Sequence, residues 1–184
     1  MEHELIDYYD ENGRLLGVID KAIAHREGLW HKSVHLWIFN SKNQVLLQKR
    51  CAQKKFFPGY WDVSVAGHIS AGENSIDTSL REAKEEIGLN TNENEIEFAF
   101  TIKEKFKWKD IQSNEFVDVY ILNKDINLSK LKFQKEEVET VQFVDKSIIF
   151  SPNPNADIFP HYEEYKLLEN LINEKEKDLW LKKF

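Results

Sequence analysis

The chain has 184 residues with 25 basic and 32 acidic side chains, a net charge of -7, and it is 41% hydrophobic and 12% aromatic; that composition excludes a disordered chain, and the acidic balance argues against a general binder of long nucleic acid. The length suits one domain, or one domain with an extension, and the single cysteine, Cys51, excludes an internal disulfide and suits a reducing compartment. The start Met1-Glu2-His3-Glu4 is acidic where a signal peptide is basic, and no apolar run approaches the ~20 residues that span a bilayer, so a soluble cytoplasmic protein with no membrane partner is expected.

Residues 4–9 and 15–19 read as strands around the turn Asp10-Glu11-Asn12-Gly13, an N-terminal hairpin by its turn chemistry. Residues 33–39 and 44–50 read as a second hairpin around Asn40-Ser41-Lys42-Asn43, followed by the turn Phe57-Pro58-Gly59-Tyr60 and a short strand over 61–66. A helix is predicted over 74–88, where Ile76, Leu80, Ala83 and Ile87 recur at helical spacing and Gly88 stands at the C-terminal cap. Residues 97–109 alternate, with Phe98, Phe100, Ile102, Phe106 and Trp108 on one face and Lys103, Lys105, Lys107 and Lys109 on a solvated one; Glu104 interrupts the pattern. Further strands are expected at 115–122 and 140–144, and Tyr162, Tyr165, Leu168, Leu171 and Ile172 mark a terminal amphipathic helix from about residue 159. Strands mixed with two or three helices indicate an α/β or α+β class.

Charge is concentrated. Residues 73–97 carry eight acids against two bases, which leaves the other 159 residues at only -1. Glu82, Glu85 and Glu86 share one arc of the predicted helix, opposite its apolar stripe. Like charges so placed repel and destabilise an isolated helix by a few tenths of a kcal/mol per pair, whereas a bound hard cation, Mg²⁺ or Mn²⁺, reverses the sign. Gly67, Glu73 and Arg81-Glu82-Ala83-Lys84-Glu85-Glu86-Ile87-Gly88-Leu89 stand at the spacing G-x5-E-x7-R-E-U-x-E-E-x-G-U, where U is a bulky or aliphatic residue. This resembles the box of the Nudix hydrolases at every fixed position, with Ala83 small for the first U.

The resemblance implies a single Nudix domain over 1–184: an α/β/α sandwich with a mixed central sheet, an N-terminal hairpin extension (1–30), the box loop and helix (67–89) and a C-terminal helix (159–184). It implies a hydrolase of diphosphate bonds in which Glu82, Glu85 and Glu86 hold Mg²⁺ (or Mn²⁺). Gly67 is expected to allow a tight turn that brings its carbonyl to the cation, and Glu73 to pair with Arg81 as structural support. Members also bring a glutamate from outside the box to the metal, as ligand or base, and Glu115 is the candidate, so the catalytic set is Glu82, Glu85 and Glu115.

Upstream, the chain resembles the type 1 isopentenyl-diphosphate isomerases, which share this fold. The matching segments are Ala24-His25, Trp30-His31, Trp37-Ile38-Phe39-Asn40, the stretch from Arg50 through Lys54-Lys55 to Pro58-Gly59-Tyr60-Trp61, and Ser64-Val65-Ala66-Gly67-His68. Ala66 replaces the isomerase's catalytic cysteine and can neither donate nor accept a proton. Ser151-Pro152-Asn153 stands where the isomerases carry Ser-Pro-Trp. A complete box without the isomerase's acid favours a pyrophosphohydrolase with an isomerase-like body.

By the same resemblance His25, His31 and His68 are candidates for a second, imidazole-bound metal such as Zn²⁺ or Mn²⁺, with His68 foremost, while His35 is assigned a structural role within its strand. Residues 42–55 carry five bases and no acid; Arg50, Lys54 and Lys55 are the candidate diphosphate ligands, Arg by bidentate contact and Lys as a point charge. The leading function is Mg²⁺-dependent cleavage of a nucleoside diphosphate linked to another moiety. The alternatives are isopentenyl-diphosphate isomerisation and a non-catalytic nucleotide-binding module. The partner is a small diphosphate, and the N-terminal hairpin and terminal helix are candidate contacts of a homodimer.

Overall fold

A computed structural model of the chain describes residues 4–109, 111–151 and 157–181. The elements are β1 (Leu5–Tyr9), β2 (Leu15–Asp20), α1 (Lys21–Glu27), β3 (Trp30–Phe39), β4 (Gln44–Arg50), β5 (Trp61–Asp62), β6 (Val65–His68), α2 (Ser75–Ile87), β7 (Ile96–Trp108), β8 (Ile111–Asn123), β9 (Val138–Asp145), α3 (Ser147–Phe150) and α4 (Tyr162–Leu181). All the strands join one mixed sheet: β3 runs parallel to β8 over its whole length, and the other pairs are antiparallel.

The sheet is sandwiched between α2 and α4, so the expected three-layer α/β/α architecture is present. Alternation along β3 divides the core. Val34, Leu36 and Ile38 pack with Ala83 and Ile87 of α2, while Trp37 packs with Tyr165 and Leu168 of α4 on the other face.

Three sequence expectations change. Strands β3 and β4 do pair antiparallel across the turn, but only beside it, at Phe39 and Val45, and then diverge. β6 takes the β3 edge and β9 the β4 edge, and Ser64 fills the fork, its Oγ accepting from Ile38 N (2.9 Å) and donating to Leu46 O (2.5 Å). The strand expected over 61–66 is two strands, β5 and β6, split at that fork.

Second, Phe98 does not share a face with Phe100. Phe98 pairs with Tyr120 but Phe100 with Val119, so Ala99 is an extra residue, and this bulge turns the rest of β7 over. Ile96 therefore joins the α2 layer, whereas Phe100 and Ile102 join the α4 layer. Glu104 is then no interruption but a buried inward position, its Oε2 accepting from His161 Nδ1 at 2.8 Å. The lysine face is exposed, as expected, with Lys103 and Lys105 lying over the Trp30 ring.

Third, α1 was not anticipated. Asp20 caps it by accepting from Ala22 N, and Gly28 ends it in the left-handed region (φ 63°). The helix presents Lys21 and His25. Of Ser151-Pro152-Asn153, the proline and asparagine lie outside the described residues.

Candidate active site

Helix α2 is set by its sequence. The Asn74 side chain accepts from Asp77 N, Asp77 places a negative charge in the first turn, and Gly88 closes the end at φ 69°. This fixes the rotation that buries Ile76, Leu80, Ala83 and Ile87 against the sheet and turns the box carboxylates toward β6. Gly67 lies in β6, paired with Val34, and its backbone is not in the left-handed region. Its role is therefore not the tight turn expected of it. A Cβ there would stand 2.2 Å from Glu82 Cδ, so the glycine is the cradle into which the Glu82 carboxylate packs.

Arg81 ties the box together. Its Nε and Nη2 bond both oxygens of Glu73 (3.1 and 3.0 Å), and its Nη1 reaches Glu82 Oε1 (2.8 Å) and Glu85 Oε2 (3.0 Å). Burial pushes Glu73 upward, but its Arg81 hydrogen bonds and charge outweigh that and hold it low. Glu82 goes the other way, raised by burial against the opposing pull of Arg81. Glu86 is buried, and burial, followed by the Glu82 charge, pushes it up to about 8. Its Oε2 accepts from Gln48 Nε2 and Ala66 N, both at 3.1 Å. Ala66, at the isomerase's cysteine position, thus contributes a backbone N–H and no acid. Glu85 is about half exposed.

Two of these three carboxylates are desolvated, and as hard-oxygen donors all three suit Mg²⁺ or Mn²⁺, although their oxygens are not gathered within 4.8 Å of one another as the ligand atoms of two histidine-containing groups are.

A second group gathers on α1, β3 and β6. His25 on α1, His31 on β3 and His68 on β6 bring one ring nitrogen each within 4.8 Å of the others. His25 Nε2 and His68 Nε2 are 3.2 Å apart, and His31 Nε2 is buried without a hydrogen-bond partner, 3.7 Å from Glu115 Oε1. The outward nitrogens are held: His31 Nδ1 by Leu29 O (2.9 Å) and His25 Nδ1 by Gln112 O (3.3 Å). Burial, aided by the His31 charge, lowers His25, and burial drops His68 well below its usual value against the opposing charge of Glu115, which favours the neutral imidazole that binds metal. Glu115 pairs in register with His31 and accepts from the Ser113 hydroxyl. Burial would raise this carboxyl, but His31, His68 and Ser113 outweigh it and hold it low. Glu115 therefore stands with the histidines, and the orphaned His31 nitrogen makes the group a fitting imidazole–carboxylate donor set. Gly67 and His68 are successive in β6 and so face opposite sides of the strand; the link between the two groups is Arg81, whose Nη2 donates to His68 O at 3.4 Å.

The basic residues divide. Arg50 gives one N–H to Asp62 Oδ2 (2.9 Å) and two to Phe56 O (3.1 and 2.9 Å), leaving two of its five free. It therefore shapes the loop that carries Lys54. Lys54 bonds Glu137 and is lowered by burial, then by the Arg50 charge, with Glu86 opposing. Lys55 is exposed. Two residues near the site escaped the sequence reading: Gln48, which holds Glu86, and Lys21, bonded to Glu4 and close enough for its charge to act on Lys54 and His68. Only a firm prediction of α1 would have flagged Lys21.

The NUDIX domain family matches residues 29–165, well over half of the chain. The chain belongs to the NUDIX family. A Nudix hydrolase of Clostridium acetobutylicum is 34% identical over 160 residues, covering 80% of this chain and 77% of that protein. Nudix hydrolase 3 of Arabidopsis thaliana is 38% identical over 150 residues, 78% of this chain, but the chain spans only 19% of that longer protein. Isopentenyl-diphosphate Delta-isomerase 1 of Photorhabdus laumondii is 36% identical over 118 residues, 63% of this chain and 66% of the isomerase, in keeping with the isomerase-like body. Among solved structures, DR0079 from Deinococcus radiodurans superposes with a TM-score of 0.63 at 22% identity over 89% of this chain and 98% of that one, a likeness of fold. Nudix hydrolases act on diphosphate bonds, and the family generally uses divalent metal ions.

Proposed function

We propose that this Nudix protein is a Mg²⁺-dependent pyrophosphohydrolase that cleaves a nucleoside diphosphate linked to another moiety. The observation that carries the reading is Glu82 seated in the Gly67 cradle and braced together with Glu85 by Arg81, with Glu86 buried one turn along and held by Gln48 and Ala66 N. Glu82, Glu85 and Glu86 would hold the cation, and Gly67 and His68 lie beside them. When bound, Mg²⁺ supplies Lewis-acid charge on the phosphoryl oxygens. Lys54, Lys55 and the two free N–H groups of Arg50 bind the diphosphate from the opposite side. Glu115 accepts the proton of the water that attacks one phosphorus in line; the P–O–P bond breaks and a phosphate-bearing product leaves. His25, His31 and His68, with Glu115, offer the place for a second divalent ion, Zn²⁺ or Mn²⁺.

The test is phosphate release, measured colorimetrically across a panel of nucleoside diphosphate derivatives with Mg²⁺ and Mn²⁺. Activity above that of a Glu85→Gln/Glu86→Gln double variant supports the reading. Equal, background-level release by both proteins would sink it. Ala66 speaks against isomerisation, since no side-chain proton is available at that position.

A further inference from the structure

A second concentration of titratable groups lies on the α4 side of the sheet, outside the site above. His35 on β3, Glu104 on β7, and His161 and Glu164 at the start of α4 are all buried, and one ligand atom from each lies within 4.8 Å of the others. His35 Nδ1 is 2.8 Å from Glu164 Oε2, His161 Nδ1 is 2.8 Å from Glu104 Oε2, and His161 Nδ1 is 3.9 Å from Glu164 Oε2. The atoms facing away from this centre are anchored from outside. Trp37 Nε1 donates to Glu164 Oε1 at 2.6 Å, and His161 Nε2 lies 3.1 Å from Asp62 Oδ1. Asp62 Oδ2 is in turn held by Arg50 at 2.9 Å.

Two features distinguish this group from an ordinary buried ion pair. The first is charge. Asp62, Glu104 and Glu164 oppose one guanidinium, Arg50, so the buried group carries two excess negative charges unless both imidazoles are protonated; burial lowers His35 and His161, but their carboxylate neighbours outweigh it and raise both. So many charges confined to one buried cluster are costly, and one divalent cation between two neutral imidazoles and two carboxylates replaces the two protons with the same total charge. The second is the outer ring. A carboxylate behind one histidine and an N–H behind one carboxylate is the arrangement that orients metal ligands.

We propose that His35, Glu104, His161 and Glu164 form a closed, four-ligand structural metal site, suited to Zn²⁺, that fastens the start of α4 to the sheet. Two nitrogens and two oxygens match the borderline character of Zn²⁺, and four protein ligands with no open position are the pattern of structural rather than catalytic zinc. At ligand distances of ~2.0–2.1 Å the donor atoms need to lie about 3.4 Å apart, so the 2.8 Å pairs widen and the 3.9 Å pair closes. The site is independent of the hydrolytic reading and neither supports it nor needs it.

The test uses the full chain, stripped with a chelator and titrated with Zn²⁺, while the ¹⁵N resonances of the imidazole rings are followed by NMR. The His35 and His161 Nδ1 signals are expected to move to metal-bound positions, with a rise in melting temperature. Asp62→Asn, which removes the outer anchor of His161, is expected to weaken Zn²⁺ at this site roughly 10–100-fold while leaving His25, His31 and His68 responsive. Should only those three rings respond at saturating Zn²⁺, with His35 and His161 unmoved, the proposal is overturned. That wild-type reading decides the matter even if the variant fails to fold.

Discussion

Gly67→Ala isolates the geometry of the box from its charge. The new methyl carbon would stand 2.2 Å from Glu82 Cδ and 2.3 Å from its Cγ and Oε1, whereas ordinary contact begins at 3.4 Å, so the Glu82 carboxylate must retreat by at least about 1.2 Å. The atoms that move are the free end of a side chain, not packed backbone. The stability cost should therefore sit near the low end for overpacking, about 1 kcal/mol. The chemical cost is larger, because the retreat pulls Glu82 from its 2.8 Å contact with Arg81 and out of the donor set. Displacement of a reacting-site group by 1 Å can cost ~100-fold in rate. Thermal unfolding and kcat for Mg²⁺-dependent phosphate release should show a nearly native melting temperature with kcat reduced by about that factor. A folded variant with unchanged kcat would refute the idea that Gly67 is there to admit Glu82.

Other outcomes follow from the same contacts. Arg81→Lys replaces a guanidinium that holds Glu73, Glu82 and Glu85 with one point charge, and kcat should fall ~10-fold or more; unaltered steady-state kinetics would contradict this. Glu86 rises from 4.5 to about 8 on burial beside Glu82. Between those values the unfolded chain binds fewer protons than the folded one, so metal-free stability falls as pH rises. Glu86→Gln should accordingly melt higher than the parent at pH 8 in chelator while losing hydrolysis, and an unchanged or lower melting temperature would count against it. Glu104→Ala strips His161 of a buried counter-charge and should cost ~3–5 kcal/mol in urea unfolding of the metal-free chain. A cost below 1 kcal/mol, of the order expected for a surface pair, would show that the network does not hold α4.

The box helix was legible because what marks it in the sequence is local: the stripe from Ile76 to Ile87, the Gly88 stop and carboxylates one turn apart. The three-layer fold followed from the alternation of strands and from the family resemblance. What escaped was long-range or unpatterned. The β3–β8 pairing joins segments some 80 residues apart with no turn between them to announce it. The single extra residue at Ala99 reverses a strand face without disturbing the sequence alternation. Glu104 read as a defect because its partner, His161, lies 57 residues away. Helix α1 is only seven residues long, too short for periodicity to register, and Lys21 went with it. Arg50 was legible as a cation near the site, but its three internal hydrogen bonds were not.

The central claim, that the box carboxylates support attack of water on a phosphoryl group, is tested most directly by running the reaction in H₂¹⁸O with Mg²⁺ and weighing the products. One ¹⁸O should enter a phosphate-bearing product of the parent protein, and the Glu85→Gln/Glu86→Gln variant should yield no labelled product. Cleavage without label in either product, or equal labelling by the parent and the variant, would contradict the account.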